Sequence, residues 1–212
     1  MQFRINPQSE IQTLFPTQVA VVRIPNAEQI NPGLEAAVLK REISGRGGKR
    51  SNIGGWQSKD NFGDWPEPEV AELVDSMRNG VLNMVSLVTG KVRFEAAVSI
   101  YSWANINHSG SYNQVHTHPH NHWSGVYYVV AGEYDDEDVD YPGHLQIHDP
   151  RDRADMYMHP GGSSLGKPFR VKPEAGTMVL FPSWLSHSVN TFYSDTTRIS
   201  IAFNAQVLNF KT

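Results

Sequence analysis

Four histidines lie close together in the middle of the chain, in the segment Gln114–Val130, QVHTHPHNHWSGVYYVV. They are His116, His118, His120 and His122. The apolar run that follows them predicts a buried β-strand, and alternate residues of a strand point to the same face. His116 and His118 are therefore expected to point together. Two neutral imidazoles so placed can begin a site for iron, zinc, copper or nickel.

A third histidine, His187, has a similar setting far along the chain. It follows the apolar strand predicted at residues 177–181, after a proline break, and begins a short strand segment of its own. A dense histidine tract can also be a loose surface patch or an accident of composition. Because a strand follows the tract and a distant histidine matches it, we take His116, His118 and His187 as candidate metal ligands.

An arginine completes the candidate site. Arg198 stands at the start of RISIAFN, whose alternating apolar residues predict a strand. An arginine that points into the interior needs an anionic partner, because an unpaired buried charge is costly. A small carboxylate ligand would accept two parallel hydrogen bonds from it. The alternative is an arginine on the outer face, bound to water or to Asp195.

The elements that position these residues fit one domain. The chain has 212 residues, of which 39% are hydrophobic and 19% charged, as in ordinary globular proteins. The formal charge of -4 argues against nucleic-acid binding, and no cysteine is present to act as ligand or nucleophile. Neither a signal peptide nor a membrane-spanning stretch is evident. We expect a cytoplasmic protein without a nucleic-acid or membrane partner, and both a monomer and a homodimer fit the sequence.

Local patterns predict one strand and two helices before residue 95. Gln18–Ile24 predicts a strand between two prolines, and Asn31 followed by Pro32 predicts a helix start with Asn31 as N-cap. Residues 66–84 predict a longer helix. Its core face is expected to hold Val70, Leu73, Val74, Met77, Val81 and Met84. The basic, glycine-rich Ser44–Ser51 is expected to be a solvated loop, with contact to an anionic substrate as the alternative.

From Ala96 to Leu208 short apolar runs alternate with turn residues. This pattern favours an antiparallel β-barrel or sandwich over βαβ units. We predict a single structural domain in which an N-terminal strand and helices, residues 1–94, pack on a β-core, residues 95–212. The acidic segment Glu133–Tyr141 is expected to be a solvated loop, because it lacks the spacing and the glycine of a calcium site.

The order of two clustered ligands, a distal histidine and a following arginine resembles the iron(II)- and 2-oxoglutarate-dependent oxygenases. More closely, the chain resembles a family of 2-oxoglutarate/iron oxygenases of bacteria and phages, from about Leu14 to Leu208. The stretches that carry the resemblance are LFPTQV, SNIGGWQS, WANIN, HTHP, SGVYYV, HDPR, GTMVLFPSWLSHSV and RISIAFN. The ordered set is fairly specific, whereas each stretch alone is not.

The resemblance implies a mainly β fold with flanking helices, a double-stranded β-helix or jelly roll of the cupin-like kind, with the metal near one mouth. It implies iron(II) bound by His116 and His187, with Arg198 gripping the far carboxylate of 2-oxoglutarate. The implied activity couples decarboxylation of 2-oxoglutarate to succinate with oxidation of a substrate by molecular oxygen. A protein side chain, a free amino acid and a small metabolite all fit as substrates.

Further residues are assigned to the implied site by their place in the chain. Asn105 lies on the strand before the histidine tract and is expected to hydrogen-bond 2-oxoglutarate, as are Tyr127 and Tyr101. Both tyrosines fit equally well in the core. Three tryptophans beside the ligands are expected to line the substrate pocket, or else to pack it: Trp103, Trp123 and Trp184.

The chain departs from the wider superfamily at the second ligand. That position usually holds Asp or Glu, which completes a face of two histidines and one carboxylate. Here it holds His118, and three neutral imidazoles leave iron(II) with its full double charge. His120, His122 and Asp149 are the alternatives for this ligand, and His118 is preferred because strand alternation places it on the face of His116. Metal binding is expected to weaken below roughly pH 6, since histidine titrates near 6.5.

Two rival functions are a cupin, either enzyme or sugar-binding protein, and a non-catalytic barrel with structural or zinc-binding histidines. The spacing of residues 176–190 approaches the second cupin motif, and His116-x-His118 approaches the first. However, Trp184 occupies a glycine position of that motif, the usual Glu is missing, and Arg198 has no role there. Zinc held by three histidines and a water would also suit hydrolysis.

Overall fold

The strands form two antiparallel sheets that pack face to face. A computed structural model describes residues 4, 6, 8–9, 11–45, 47–48, 50–133, 141–156 and 166–212. In chain order the elements are β1 (Ala20–Arg23), α1 (Ala27–Ser44), β2 (Asn52–Ile53), β3 (Trp56–Gln57), α2 (Pro68–Thr89), β4 (Glu95–Asn107), β5 (Tyr112–His116), β6 (Trp123–Val130), β7 (Leu145–Ile147), β8 (Phe169–Val171), β9 (Thr177–Pro182), β10 (His187–Val189) and β11 (Arg198–Lys211). The predicted class, mainly β with flanking helices, is confirmed.

The larger sheet has the strand order β1-β9-β6-β11-β4-β3, and the smaller one β2-β5-β10-β7-β8. Every pairing in them is antiparallel. Tyr128 and Phe181 from the larger sheet pack with Leu145 and Ile147 from the smaller one. No strand ladder joins the two sheets among the described residues, so they form an open pair of layers.

Alternate side chains of β11 point to two different places, the hydrophobic core and the cavity between the sheets. Ile199, Ile201 and Phe203 belong to the core that the larger sheet shares with the helices. Arg198 and Ser200 point the other way, into the cavity between the sheets. This is the period-two pattern of a strand whose two faces are both covered. The prediction that Arg198 points inward is thus confirmed by its burial.

The first helix begins earlier than predicted. It starts at Ala27, so Asn31 is not its N-cap and Pro32 lies inside it. A proline within a helix removes one backbone hydrogen bond. Asn31 instead makes tertiary contacts: its Nδ2 donates to the carbonyl of Val129 at 3.1 Å, and its Oδ1 accepts from the Tyr127 hydroxyl at 2.6 Å. Its amide therefore ties α1 to β6.

The second helix has the predicted face but extends further. Five of the six predicted core residues are buried, Val74 being partly buried, and Val85 joins them. The helix runs to Thr89, and Gly90 ends it with the left-handed φ of 67° that favours glycine. Gly80 lets α2 approach the sheet, since a Cβ there would lie 2.7 Å from Leu180 Cδ1.

The N-terminal part of the chain contributes to both sheets. β1 pairs with β9 and β3 with β4 in the larger sheet, whereas β2 pairs with β5 in the smaller one. The predicted division of the chain between residues 94 and 95 stays a prediction.

Of the acidic segment, residues 134–140 lie outside the described part of the chain. Neither described helix combines the length and apolarity that crossing a membrane would require.

We expect Tyr127→Phe to lower the free energy of unfolding by about 1–3 kcal/mol, because Asn31 Oδ1 loses its donor in a water-poor place. Urea unfolding would measure the change. Tyr193, which is 51% exposed, offers the matched control Tyr193→Phe, with an expected change below about 0.5 kcal/mol. Equal midpoints for the two variants would contradict a stabilising role of the α1–β6 hydrogen bond.

Candidate functional site

His116 and His187 face each other across neighbouring antiparallel strands. His116 ends β5, His187 begins β10, and the register makes them direct partners. Directly opposed residues have their Cβ atoms about 4.5–5.5 Å apart on one face of the sheet. The two ring centroids are 4.3 Å apart. One pair of strands therefore brings together two histidines that lie far apart in sequence.

His118 joins them from the turn after β5. Its ring centroid lies 4.9 Å from that of His116 and 5.0 Å from that of His187. One ring nitrogen from each residue can be chosen so that all three lie within 4.8 Å of one another. In the described part of the chain no other set of three His, Cys, Asp or Glu side chains has this spacing. The three predicted ligands can thus share one ion.

Backbone carbonyls fix the orientation of two of the rings. Nδ1 of His116 lies 2.7 Å from the carbonyl oxygen of Gln114, and Nδ1 of His187 lies 2.9 Å from that of Leu185. A carbonyl only accepts hydrogen bonds, so each Nδ1 carries the hydrogen. Each Nε2 then keeps its lone pair, which is the usual arrangement of a metal-binding histidine.

Burial keeps the three imidazoles neutral. It is the main cause that lowers the pKa of His187 to about 3 and the pKa of His118 to about 4, and the neighbouring His116 lowers both further. Burial also lowers the pKa of His116 itself. Because only neutral imidazole binds a metal, all three side chains are ready to do so at neutral pH.

The turn that carries His118 is held by the larger sheet. The backbone N–H of His118 donates to the carbonyl of Ser183 at 2.9 Å, and the Ser183 hydroxyl donates to the carbonyl of Asn121. Asn121 Nδ2 donates to the Tyr101 hydroxyl at 3.0 Å, which also accepts from Asn204 Nδ2 at 2.9 Å. Tyr101, predicted beside 2-oxoglutarate, is not among the residues that line the cavity and instead supports this turn.

The alternatives for the second ligand lie elsewhere. His120 is exposed at a positive φ of 67°. His122 accepts a hydrogen bond at Nδ1 from a backbone N–H of β11, 3.1 Å away. The carboxylate of Asp149 is paired with the guanidinium of Arg151, which holds the pKa of Asp149 well below its usual range. The metal-site geometry therefore includes His118 and none of these three.

Arg198 lies in the same cavity as the histidines and is 2% exposed. Its Nη1 donates to Asn107 Oδ1 at 3.0 Å, and its Nε has no hydrogen-bond partner among the described residues. No Asp or Glu of the described part of the chain forms an ion pair with it, so the outer-face alternative with Asp195 is wrong. A buried charge of this kind calls for an anionic ligand.

Asn105, which is predicted to hydrogen-bond 2-oxoglutarate, lines the cavity, and its buried Oδ1 has no partner among the described residues. Tyr127 does not line it, because its hydroxyl binds Asn31 on the helical side of the sheet. Sequence reasoning missed Tyr128, which lines the cavity with the Arg198 guanidinium 5.1 Å from its ring centre. Burial raises the pKa of Tyr128, and the Arg198 charge opposes that rise. Both tyrosines are fully buried, so hydrophobic pattern could not tell them apart.

The three tryptophans predicted to lie in the substrate pocket do not line the same cavity. Trp103 lines the metal cavity, and its ring lies 5.8 Å from that of His118 between centroids. Trp123 and Trp184 instead line a second, apolar groove together with Val88 and Phe210. Trp184 is 56% exposed because it occupies the turn between β9 and β10. Of the three tryptophans, only Trp103 therefore lines the cavity that holds the three histidines, and the role of all three in a substrate pocket stays a prediction.

The cavity thus combines three neutral metal-binding nitrogens with a buried cation. Nitrogen ligands suit iron and the other transition metals, and a guanidinium suits a carboxylate. Two further polar groups, Asn105 Oδ1 and the Tyr128 hydroxyl, lack described partners beside them. The described residues therefore fit a metal ion with an anionic ligand next to it.

Residues 101–204 match the family described as "Putative 2OG-Fe(II) oxygenase". This stretch includes all three candidate ligands and Arg198. No curated protein matches the chain in sequence.

Solved structures resemble the chain over most of its length. A prolyl-4-hydroxylase from Pseudomonas putida has 15% identity and a TM-score of 0.64, covering 90% of this chain and 92% of its own. A prolyl hydroxylase from Trichoplax adhaerens, in complex with a hypoxia inducible factor peptide fragment, has 14% identity and a TM-score of 0.62, covering 89% and 83%. HygX from Streptomyces hygroscopicus, with nickel and 2-oxoglutarate bound, has 12% identity and a TM-score of 0.60, covering 90% and 83%. These similarities show the predicted double-stranded β-helix fold.

We expect His116→Ala and His187→Ala to lose nearly all bound iron(II), because each removes one of three ligands from a site without a carboxylate. Metal analysis of anaerobically purified protein would show the loss. His120→Asn is the matched control, since it removes an exposed histidine near the site and asparagine tolerates a positive φ. Full occupancy in either alanine variant would remove that residue from the metal site.

The lowered pKa values of the site histidines change the pH dependence that is expected for metal binding. In the unfolded chain histidines take up protons near pH 6.5, whereas folded His118 and His187 stay neutral until pH approaches 4 and 3. Acid should therefore reduce the free energy of unfolding of the metal-free protein below pH 6.5, while the folded site still binds metal. We expect iron(II) affinity to fall by less than tenfold per pH unit between pH 7 and 5.5, measured by chelator competition. A tenfold fall per pH unit below 6.5 would contradict this.

Proposed function

We propose that His116, His118 and His187 hold iron(II) and that Arg198 holds 2-oxoglutarate. Support comes from the match of residues 101–204 to the 2OG-Fe(II) oxygenase family and from the spacing of the three histidines, which can share one ion. The chain is then an enzyme that couples decarboxylation of 2-oxoglutarate to succinate with the oxidation of a substrate by molecular oxygen. The observation that carries the residue assignment is the burial of Arg198 beside the three histidines, without a described carboxylate.

The chain's own residues would bind and orient the iron and the cosubstrate. Nε2 of His116 and of His187 would face the iron, since their Nδ1 atoms are engaged by backbone carbonyls. His118 would supply the third nitrogen from a turn that hydrogen bonds hold in place. Iron with 2-oxoglutarate supplies the oxidising chemistry when bound.

Arg198 would bind the carboxylate of 2-oxoglutarate that lies away from the metal. Its Nη1 is held by Asn107, which leaves Nε and Nη2 to donate two parallel hydrogen bonds. The Tyr128 hydroxyl and Asn105 would complete the polar wall of this subsite. The apolar side chains of Phe181, Val126 and Leu145 line the rest of the cavity, where they exclude water and strengthen each charged contact.

We propose that the substrate is either a peptide side chain or a small metabolite. Support for a peptide comes from the Trichoplax adhaerens neighbour, which is in complex with a peptide fragment, and support for a metabolite from HygX, with hygromycin B bound in a second structure. The cytoplasmic location and the absence of nucleic-acid and membrane partners stay predictions.

We expect Arg198→Met to weaken 2-oxoglutarate binding by tenfold to several hundredfold. Hydrogen bonds to charged groups contribute about 1.5–3 kcal/mol each, and about 1.4 kcal/mol corresponds to a factor of ten. Methionine keeps much of the side-chain volume, so the fold and the metal site should survive. Arg198→Lys keeps the charge but loses the planar fork, and its affinity should lie between the two.

Calorimetric titration of metal-loaded protein with oxygen excluded would measure these affinities. The matched control is Arg78→Met, which removes an exposed arginine paired with Asp75 on α2. Equal affinity in the wild type and Arg198→Met would remove Arg198 from the cosubstrate site. Failure of the wild type to bind 2-oxoglutarate at all would contradict the proposed function.

A further inference from the structure

The partner of Arg198 on the neighbouring strand is an asparagine. Arg198 begins β11, Asn107 ends β4, and the register of the two strands makes these residues direct partners. Directly opposed residues of antiparallel strands project from the same face of the sheet. Asn107 also closes the WANIN stretch, two positions after Asn105, which lines the cavity. Alternation along β4 and pairing with β11 therefore both place Asn107 on the face of the sheet that borders the cavity.

The hydrogen bond between these two side chains settles how the Asn107 amide is oriented. Arg198 Nη1 donates to Asn107 Oδ1 at 3.0 Å. A guanidinium has no acceptor atom, so the amide must present its oxygen, and not its nitrogen, to Arg198. Asn107 is 1% exposed, and its Nδ2 has no hydrogen-bond partner among the described residues. Within the described part of the chain, the Asn107 side chain thus makes its hydrogen bond to Arg198 alone.

No acidic group compensates the charge of Arg198 within the described part of the chain. No described Asp or Glu forms an ion pair with it, and no acidic residue is among those that line the cavity. A carboxylate at position 107 would have the shape of the amide and would form an ion pair with the guanidinium. The neutral amide instead holds the guanidinium in place and leaves its positive charge unmatched.

We propose that Asn107 is a positioning residue that sets the charge selectivity of the cosubstrate site. This inference rests on the proposed function. Asn107 is not among the residues that line the cavity, so it acts through Arg198. Its oxygen fixes the direction of the guanidinium, and its neutrality keeps the guanidinium charge for an incoming carboxylate. The site then binds 2-oxo acids that carry a second carboxylate, because an uncharged end would leave the buried cation unpaired.

Asn107→Asp separates the two parts of this role, because it keeps the acceptor oxygen and the side-chain volume but adds a negative charge. The introduced carboxylate would pair with Arg198 and repel the carboxylate of 2-oxoglutarate. We expect the Kd of the metal-loaded protein for 2-oxoglutarate to rise about tenfold or more, measured by calorimetry with oxygen excluded. If Asn107 only oriented the guanidinium, the affinity of this variant would stay close to that of the wild type.

2-Oxopentanoate is a matched probe, because it is 2-oxoglutarate with a methyl group in place of the far carboxylate. Ligand-detected NMR would measure its Kd, which in the wild type should be at least about tenfold higher than that of 2-oxoglutarate. In Asn107→Asp the Kd for 2-oxopentanoate should stay within about twofold of the wild-type value, so the preference for 2-oxoglutarate shrinks. A general disturbance of the site would weaken both ligands alike, and that result would overturn the proposal.

The control for added charge is Asn83→Asp, since Asn83 is exposed on α2. It should leave both Kd values unchanged. An equal loss of 2-oxoglutarate affinity in Asn83→Asp would assign the effect to net charge and would overturn the proposal, as would wild-type affinity in Asn107→Asp. Failure of the wild type itself to bind 2-oxoglutarate would contradict the proposed function, so the two failures are distinguished.

Thermal unfolding of protein free of metal and 2-oxoglutarate gives a readout that does not depend on the cosubstrate. Asn107→Asp breaks no described hydrogen bond, because Nδ2 has no described partner. The new ion pair would compensate a buried cation, so the unfolding midpoint should equal or exceed that of the wild type. Asn107→Leu removes the acceptor and leaves the charge, so its midpoint should fall by several degrees. A midpoint of Asn107→Asp below that of the wild type would show that Arg198 is already compensated and would overturn the proposal.

Discussion

The pairing of β5 with β10 is the constraint on which the site depends. It makes His116 and His187 direct cross-strand partners, and His118 follows on the same side of the turn. A slip of one residue would turn one histidine to the opposite face, because side chains alternate along a strand. Flanking strands prevent the slip: β10 also pairs with β7, and β5 also pairs with β2. Two strands of the smaller sheet thus carry His116 and His187, and their outer neighbours fix the register.

The larger sheet forms the other wall of the cavity, and it does so through alternate side chains of its strands. Its strands are covered on both faces, so each supplies alternate side chains to the helix-backed core and to the cavity. Ile201 and Phe203 anchor β11 to the core, and this packing supports the burial of Arg198 on the opposite face. The energy gained by burying the apolar face offsets the cost of holding a guanidinium away from water.

The sequence predicted those features that depend on short-range spacing. The inward arginine and the antiparallel β-class follow from alternation and from turn residues. Alternation also favoured His118 over its neighbours, although His118 lies in the turn after β5 and not on the strand. Prediction from the sequence failed where two residues, or two roles of one residue, fit the same local pattern. Tyr127 and Tyr128 are equally buried, and only the tertiary contact of Tyr127 with Asn31 decides which of them faces the cavity. Likewise, Asn31 has the composition of an N-cap, but its amide is used in a contact with a strand that is distant in sequence.

The substitution of a carboxylate ligand by His118 has consequences beyond the metal. Burial keeps the three imidazoles neutral and ready to bind, but the same burial makes any charge that they leave unmatched expensive. A carboxylate ligand would have balanced the metal within the protein itself. With an all-histidine set the balance must come from what enters the cavity, and Arg198 inside it adds to the positive potential. An all-histidine ligand set would therefore favour an anion bound beside the metal.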